Sequence, residues 1–315
     1  MGSNTSSSKR IVTGDVFLKT SIEQRKRPKY SGLFVVDLDG TLLTSERRPA
    51  EKDLLALSRL QEMGFAVAIA TGRSNYSFHK LLDTLRCLPT GTVLPVNYVI
   101  FSTGAGIMDF PGNTLLNSFS LSPKDIRCTV DCLEKFDLDF MIHKPVPDTR
   151  YFLYRSNGEE NPDFQRRLKM YDTFATPFTP ELLAGYAGAT EVLCIVSAQK
   201  GHRLATEIIN CLQQCSVIKA TSPLDGESIW IEIFAPTVSK SKAVKWLAGA
   251  IGIEQKNICA VGNDYNDEDL LRWVGRSFVV ANAPVPLKAE FMTVESNDNG
   301  GVSQAASRWL DSSTW

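Results

Sequence analysis

Two aspartates, Asp37 and Asp39, follow a short apolar run and stand two residues apart. In an extended chain such side chains face the same side, so both carboxylates can reach one bound group. One carboxylate can attack phosphorus and form a covalent intermediate. The other can protonate the leaving oxygen and then activate water. The pair therefore predicts phosphoryl transfer, with Asp37 as the nucleophile and Asp39 as the general acid and base.

A phosphate beside two carboxylates requires compensating positive charge. A hard divalent cation among oxygen ligands relieves the repulsion, and Mg²⁺ suits phosphate best. The polar segment 262–267 could complete its coordination. Asp37 and Asp39 would hold the ion together with acids or amides of this segment, with Asn263 and Asp267 among the candidates.

Further groups could hold the phosphoryl group itself. Thr71 can donate a hydrogen bond, Lys240 can supply a positive charge, and Gly40 permits a sharp turn beneath the phosphate. Thr71 and Lys240 complete the predicted catalytic set with the two aspartates. The expected substrate-binding residues are Gly40, Thr41, Gly72, Arg73 and Asn266.

Each residue alone has an ordinary structural interpretation. An acid after a strand often caps a helix, and a segment such as 263–267 is rich in turn formers. The Asp-x-Asp-Gly-Thr pattern at Asp37 is more specific, since chance gives it in a chain of this length on the order of once in ten thousand. The functional interpretation is therefore favoured.

These residues must be brought together by the elements that precede them. Apolar runs at 33–37, 66–70 and 98–101 predict buried parallel strands, with helices at 50–63 and 76–85 between them. Alternation of this kind predicts a doubly wound parallel sheet, an α/β fold. Ligands bind at the carboxyl ends of such strands, where the polar residues stand.

A middle segment departs from this alternation. Residues 108–220 predict an inserted α+β domain, and residues 31–107 with 221–315 predict the α/β core. Residues 1–30 are polar and basic and predict a mobile tail. Its Met1, Gly2 and Ser6 match a myristoylation pattern that plain tails also show.

The sequence resembles the haloacid dehalogenase superfamily, and within it the Cof-type sugar-phosphatase branch, over nearly all of residues 33–310. The resemblance rests on Asp37-Leu-Asp-Gly-Thr-Leu42, Ala70-Thr-Gly-Arg73, Val238-Ser-Lys240 and Gly262-Asn-Asp-Tyr-Asn-Asp267. It implies a Rossmann-like core, Mg²⁺ as cofactor and an aspartyl-phosphate intermediate. It also implies that the insertion is a type IIB cap that sets specificity and excludes water.

One position departs from the family pattern. Asn263 stands where the family has the acid that binds the metal. Its amide oxygen could still be a ligand, with one negative charge fewer, or Asp264 could take its place. Lys242 is an alternative to Lys240 as the phosphate-binding lysine.

The expected activity is hydrolysis of a small phosphorylated metabolite, of the sugar phosphate class. A phosphomutase is an alternative, since Gly262-Asn-Asp-Tyr265 resembles an element of phosphomannomutases. A non-catalytic phospho-ligand sensor is another. Polar residues of the insertion could contact the substrate; they are His143, Lys144, Arg150, Tyr151, His202 and Arg203.

Composition limits the classes of partner that we expect the protein to bind. The net charge of −1 provides no global attraction to nucleic acid or an anionic membrane. The seven scattered cysteines argue against a disulfide framework and fit a reducing cytoplasm. Two cysteine pairs at helical spacing could form a metal site, although core packing is favoured; they are Cys128 with Cys132 and Cys211 with Cys215.

Overall fold

Buried apolar runs form two sheets in the computed structural model, which describes residues 29–87, 91–158 and 160–312. The strands are β1 (Leu33–Val36), β2 (Ala66–Ala70), β3 (Tyr98–Phe101), β4 (Gly106–Asp109), β5 (Thr114–Ser118), β6 (Phe140–His143), β7 (Phe152–Arg155), β8 (Ala175–Pro177), β9 (Glu191–Val196), β10 (Ser216–Thr221), β11 (Ile229–Phe234), β12 (Ile258–Gly262), β13 (Arg276–Val280) and β14 (Met292–Val294).

The helices cover the faces of these sheets. They are α1 (Glu51–Glu62), α2 (Asn75–Arg86), α3 (Pro123–Lys135), α4 (Pro162–Met170), α5 (Pro180–Ala184), α6 (Ala198–Cys211), α7 (Lys240–Ile251), α8 (Glu268–Trp273), α9 (Val285–Glu290) and α10 (Gly301–Asp311). Across the described residues, none of them combines the length and the apolar character needed to cross a bilayer.

The core sheet has eight strands in the order β14-β13-β12-β1-β2-β3-β4-β5. The central strand β1 pairs in parallel with β12 on one side and β2 on the other. Leu57, Phe78 and Trp309 pack from helices on one face, and Val244 and Leu270 pack on the opposite face. The predicted doubly wound parallel sheet is therefore confirmed.

The cap sheet has six strands in the order β10-β11-β9-β6-β7-β8. Helices α3 and α6 pack on one of its faces around Ile126, Leu133 and Ile208. The opposite face carries Leu193 and Trp230 and is covered in part by α4. This is the predicted α+β insertion.

The two sheets divide the chain differently from the predicted boundaries at 108 and 220. The hairpin of β4 and β5 extends the core sheet, while β11 pairs with β9 in the cap sheet. Leu121 bridges to Ala189 where the chain enters the cap. The sequence misleads here because a short apolar strand fits either sheet until its pairing partner is known. The predicted tail, apart from residues 29 and 30, lies outside the described residues.

The four helical-spacing cysteines lie in the cap. Cys132 is buried, and Cys128 and Cys215 pack partly buried against the same apolar cluster. Within the described part of the chain, no group of three or more His, Cys, Asp or Glu side chains is placed to hold a metal ion. The apolar packing of Cys128, Cys132 and Cys215 agrees with the favoured prediction, whereas Cys211 is exposed.

Candidate active site

The ends of β1 and β12 bring three distant side chains into direct contact. Lys240 Nζ lies 2.7 Å from Asp37 Oδ1 and 2.6 Å from Asp267 Oδ1. Lys240 is fully buried and stands 203 residues from Asp37 in the chain. A buried charge is tolerated only when paired and hydrogen-bonded, and here one ammonium is shared by two carboxylates.

Burial and charge shift the pKa values of this group. Burial and the neighbouring Asp267 raise the pKa of Asp37 to about 7, against the opposing effect of the Lys240 ammonium. Burial alone would lower the pKa of Lys240, but Asp267 and Asp37 raise it above its ordinary value. Lys240 therefore remains a cation.

Helix α7 begins at Lys240 and sets its direction. The hydroxyl of Ser239 accepts a hydrogen bond from Lys242 N–H and caps the helix. Lys242 is exposed and donates through Nζ to the Pro236 carbonyl. Lys240 is thus the lysine that meets Asp37, and Lys242 is not.

Asp39 makes a bidentate ion pair with Arg73, which follows β2. Arg73 Nε and Nη2 each donate to an Asp39 carboxylate oxygen at 2.6 Å. This planar, two-point contact fixes the orientation of the carboxylate. Arg73 lines the cavity, as expected of a substrate-binding residue, but its guanidinium is engaged by Asp39.

Three oxygen-bearing groups crowd together on the other side of Asp37, and we call them the oxygen cluster: Asp37 Oδ2, the Asp39 carbonyl and the Asn263 side-chain amide. The amide lies 3.1 Å from Asp37 Oδ2 and 3.2 Å from the Asp39 carbonyl oxygen. With its nitrogen toward them, Asn263 donates hydrogen bonds. With its oxygen toward them, three acceptors meet, which is favourable only around a cation.

The dimensions of the oxygen cluster fit Mg²⁺. Octahedral Mg²⁺ ligands at 2.0–2.1 Å stand about 3 Å from their neighbours, close to the separations in the cluster. Asp39 would contribute its main-chain carbonyl, since its carboxylate faces Arg73. Gly40 permits the approach, because a Cβ there would lie 2.5 Å from the Asn263 side chain.

The structure places Asp267 against Lys240 and the main chain of 263–264. Its Oδ1 accepts from Lys240, and its Oδ2 accepts from the backbone N–H groups of Asn263 and Asp264. Both oxygens are therefore engaged, so Asp267 positions Lys240 and the 263–264 backbone. Asp264, the predicted alternative ligand, instead accepts hydrogen bonds from Thr221 N–H and Oγ1 in the cap.

Some of the remaining predicted residues line the cavity, and others pack behind its lining. Thr71, Gly72 and Asn266 line the cavity between core and cap. Thr71 Oγ1 accepts from Arg73 N–H, which leaves its own hydrogen for a phosphoryl oxygen. Thr41 was expected to bind substrate, but it is buried and lies 3.2 Å from the Asn263 side chain.

The cap covers the site and leaves a cavity of about 550 Å³, a volume typical of small-molecule sites. Tyr76 of α2 makes edge contacts with Tyr171 and Phe174 of the cap. The Arg150 guanidinium lies 5.6 Å from the Tyr76 ring. Contacts of core with cap thus surround the cavity.

Of the six polar cap residues predicted to face substrate, His143 and Arg150 line this cavity. Lys144 lies over the rings of Tyr151 and Tyr186. Arg203 is exposed near Glu207, and His202 contacts the Tyr265 ring. Lys144, Tyr151, His202 and Arg203 are not among its lining residues.

Several lining residues were missed, among them Arg167, Glu191 and Glu232. Glu191 and Glu232 are 8% and 5% exposed. The sequence did mark these two acids as unusual, because each stands in a strand that is otherwise apolar: Glu-Val-Leu-Cys-Ile-Val and Ile-Trp-Ile-Glu-Ile-Phe. Acids are rarely buried without a partner or a role.

Burial and repulsion from Glu191 raise the pKa of Glu232 to about 8. Between its ordinary value near 4.5 and 8, the folded protein binds more protons than the unfolded chain, so stability falls as pH rises. We expect Glu232→Gln to remove this loss of stability at high pH. At pH 9 its melting temperature should exceed that of the wild type by at least about 3 °C. At pH 4.5 or below the two should nearly agree; calorimetry at both pH values checks this, and equal melting temperatures at pH 9 would contradict it.

Sequence comparison shows the family. The family of haloacid dehalogenase-like hydrolases matches residues 34–305. The 5-amino-6-(5-phospho-D-ribitylamino)uracil phosphatase YwtE of Bacillus subtilis is 27% identical over 282 residues, covering 85% of this chain and 94% of YwtE.

Solved structures share the fold. The HAD subclass IIB sugar phosphatase BT4131 superposes with a TM-score of 0.67 at 16% identity, covering 89% of this chain and 99% of BT4131. BT1666 from Bacteroides thetaiotaomicron, of the phosphatases of the haloalkanoate enzyme superfamily, gives 0.69 at 16% identity, with 91% and 97% covered. The predicted Cof-type branch and enzyme class are confirmed: this chain belongs to the haloacid dehalogenase-like hydrolases and is a phosphatase of that family.

Proposed function

We propose that the protein is a Mg²⁺-dependent phosphomonoester hydrolase that acts on a small sugar phosphate through an aspartyl-phosphate on Asp37. The observation that carries the proposal is the position of Asp37. One of its oxygens meets the Lys240 ammonium, and the other belongs to the oxygen cluster. With Mg²⁺ held in that cluster, a phosphate brought to this carboxylate would find positive charge on both sides.

The first step uses Asp37 and Asp39. A carboxylate oxygen of Asp37 attacks phosphorus, and the bond from phosphorus to the ester oxygen breaks. Protonated Asp39 gives its proton to the leaving alcohol. Because both oxygens of the Asp39 carboxylate accept hydrogen bonds from Arg73, Asp39 must turn from Arg73 toward the leaving group to carry that proton. Thr71 and Lys240 hold the phosphoryl oxygens.

The second step regenerates the enzyme. Asp39, now a carboxylate, takes a proton from a water molecule whose oxygen attacks phosphorus. The bond between phosphorus and Asp37 breaks and inorganic phosphate is released. The bidentate contact with Arg73 suits this step because it orients the Asp39 carboxylate. Asp37, the Asp39 carbonyl and Asn263 would hold Mg²⁺, which when bound neutralises phosphate charge.

The substrate class rests on two observations. The cavity is large enough for a small phosphorylated metabolite, and polar side chains stand among the cap residues that line it. YwtE is named for a ribitylamino phosphate, and BT4131 is named a sugar phosphatase. Both names support a polyhydroxylated leaving group for this chain.

The test is phosphate release from p-nitrophenyl phosphate and a panel of sugar phosphates, with Mg²⁺ and with EDTA. We expect turnover only with the metal. Absence of phosphate release from every compound would refute the proposal and favour a phospho-ligand sensor.

A phosphomutase is the second candidate, on the Gly262-Asn-Asp-Tyr265 element that resembles phosphomannomutases. A mutase returns the phosphoryl group to a sugar and depends on a bisphosphate activator. Sustained release of inorganic phosphate without a bisphosphate favours hydrolysis, and phosphate transfer between sugar positions favours the mutase.

Asn263→Asp tests the proposed ligand set. The added charge should tighten Mg²⁺ binding about tenfold, since affinity follows the charge of the ligands. The measurement is calorimetric Mg²⁺ titration without substrate. The matched control is Asn210→Asp at an exposed position on α6. Equal Mg²⁺ affinity in Asn263→Asp and the wild type would remove Asn263 from the ligand set.

A further inference from the structure

The cap sheet carries three buried polar side chains on the face that looks into the cavity. They are His143, Glu191 and Glu232, which we call the acceptor cluster. His143 pairs with Glu191 across β6 and β9, and Glu232 pairs with Leu193, two residues farther along β9. Alternation along the strands therefore places all three on one face.

His143 presents an unfilled acceptor to the cavity. Its Nδ1 donates to the Thr149 carbonyl at 2.7 Å, which leaves Nε2 without a proton. Burial and Arg167 lower the pKa of His143 to about 3, so the ring is neutral. Nε2 is buried without a hydrogen-bond partner and lies 3.8 Å from Glu191 Oε1, too far for a hydrogen bond.

Glu232 links the acceptor cluster to the phosphate end of the cavity. Its Oε2 accepts from Thr103 Oγ1 at 3.0 Å, and the Thr103 N–H donates to the Thr71 carbonyl. Ser102 and Thr103 both adopt positive φ, at 46° and 54°. Non-glycine residues pay a conformational cost there, and such strain concentrates at functional sites. The strained turn holds Thr103 between Thr71 and Glu232.

Arg167 adds a cation beside these acceptors. Its guanidinium lies 4.5 Å from the Trp230 ring and 5.4 Å from the Tyr171 ring, and its Nε is buried without a hydrogen-bond partner. In the described ranges, Arg167 makes no salt bridge with Glu191 or Glu232 within 4.0 Å. The cavity therefore offers unfilled acceptors and an unfilled donor close together.

We propose that the acceptor cluster and Arg167 form the leaving-group site and select phosphomonoesters of neutral alcohols with several hydroxyl groups. A hydroxyl can donate to Glu191, Glu232 or His143 Nε2 and also accept from Arg167. An ammonium cannot accept from Arg167. Above pH 8, where Glu191 and Glu232 are both ionised, a carboxylate or second phosphate would meet two buried negative charges. An apolar leaving group would leave these polar groups unpaired. The inference rests on the proposed hydrolase function and adds the rule by which the cap discriminates.

The test compares kcat/KM at pH 9, where both acids are ionised, for three kinds of probe. Sorbitol 6-phosphate, glucose 6-phosphate and ribose 5-phosphate present neutral hydroxyls. The matched anionic probe is 6-phosphogluconate, and p-nitrophenyl phosphate presents no hydroxyl donors. We expect the best neutral probe to exceed both others by at least about tenfold, since a site built for hydroxyls discriminates strongly against their absence.

Variants assign the preference to these residues. Glu191→Gln and Glu232→Gln keep the side-chain shape, and each should lower kcat/KM for the best neutral probe at least about tenfold more than for p-nitrophenyl phosphate, chiefly through KM. Glu62→Gln, exposed in α1, is the control. Melting temperatures establish that each variant is folded.

Four outcomes overturn the inference. Equal losses on both kinds of probe would indicate a structural role for the two acids. A wild-type preference for 6-phosphogluconate would contradict the charge rule. Retained p-nitrophenyl phosphate turnover without any preference for hydroxyls would refute this inference alone, whereas no Mg²⁺-dependent turnover of any probe would refute the proposed function and this inference with it.

Discussion

Asp37→Asn is expected to lower kcat by at least about 10⁴-fold, because an amide does not supply the nucleophilic carboxylate oxygen. The change keeps the shape of the side chain, and Lys240 retains its ion pair with Asp267. The fold should therefore persist. The carboxylates of Asp37 and Asp267 repel each other, and the substitution removes this repulsion. The resulting gain in stability should offset part of the stability that is lost with the contact to Lys240.

The measurement is p-nitrophenyl phosphate turnover with saturating Mg²⁺, together with the melting temperature. Asp83→Asn, an exposed aspartate of α2, is the matched control and should behave as the wild type. A folded Asp37→Asn protein that retains more than about a hundredth of the wild-type kcat would show that Asp37 is not the nucleophile.

The sequence predicts the core well because each feature there is local. The strands of 33–36, 66–70 and 258–262 are continuous apolar runs, and such runs are typical of buried parallel strands. Polar residues that follow parallel strands converge at one sheet edge. Asp37 and Lys240 thus meet as predicted, although no local pattern fixes their distance.

The cap side of the cavity could not be predicted in the same way. Glu191 and Glu232 stand 41 residues apart in the chain, and their common face depends on the pairing of β9 with β11. Asp267 was predicted to be a metal ligand because a sequence motif specifies residue types. The motif does not specify which groups the carboxylate oxygens contact. The contact of Asp267 with Lys240 depends on the position of the α7 N-terminus, which is set by the tertiary structure.

Lys240→Met should have the second large effect, this time on both stability and activity. Methionine fits the buried space, but Asp37 and Asp267 would be left as buried carboxylates without a cation. Breaking a buried ion pair from one side costs about 3–5 kcal/mol. Loss of a positive group at the phosphate should lower kcat by a further factor of about 10² to 10³. The exposed Lys245→Met on the same helix is the control and should change neither quantity.

The stability loss can be assigned to unpaired charge by a double variant. In EDTA, where Mg²⁺ cannot compensate, chemical denaturation of Lys240→Met should give the full loss, and adding Asp267→Asn should restore part of it by removing one of the two buried acids. A coupling energy of at least about 1 kcal/mol is expected for groups in direct contact.

The stability loss in Lys240→Met should also shrink at pH 5, because the pKa of Asp37, already raised in the wild type, lies higher still without the ammonium. Additive effects of the two substitutions, or a loss independent of pH, would mean that packing rather than charge holds this site together.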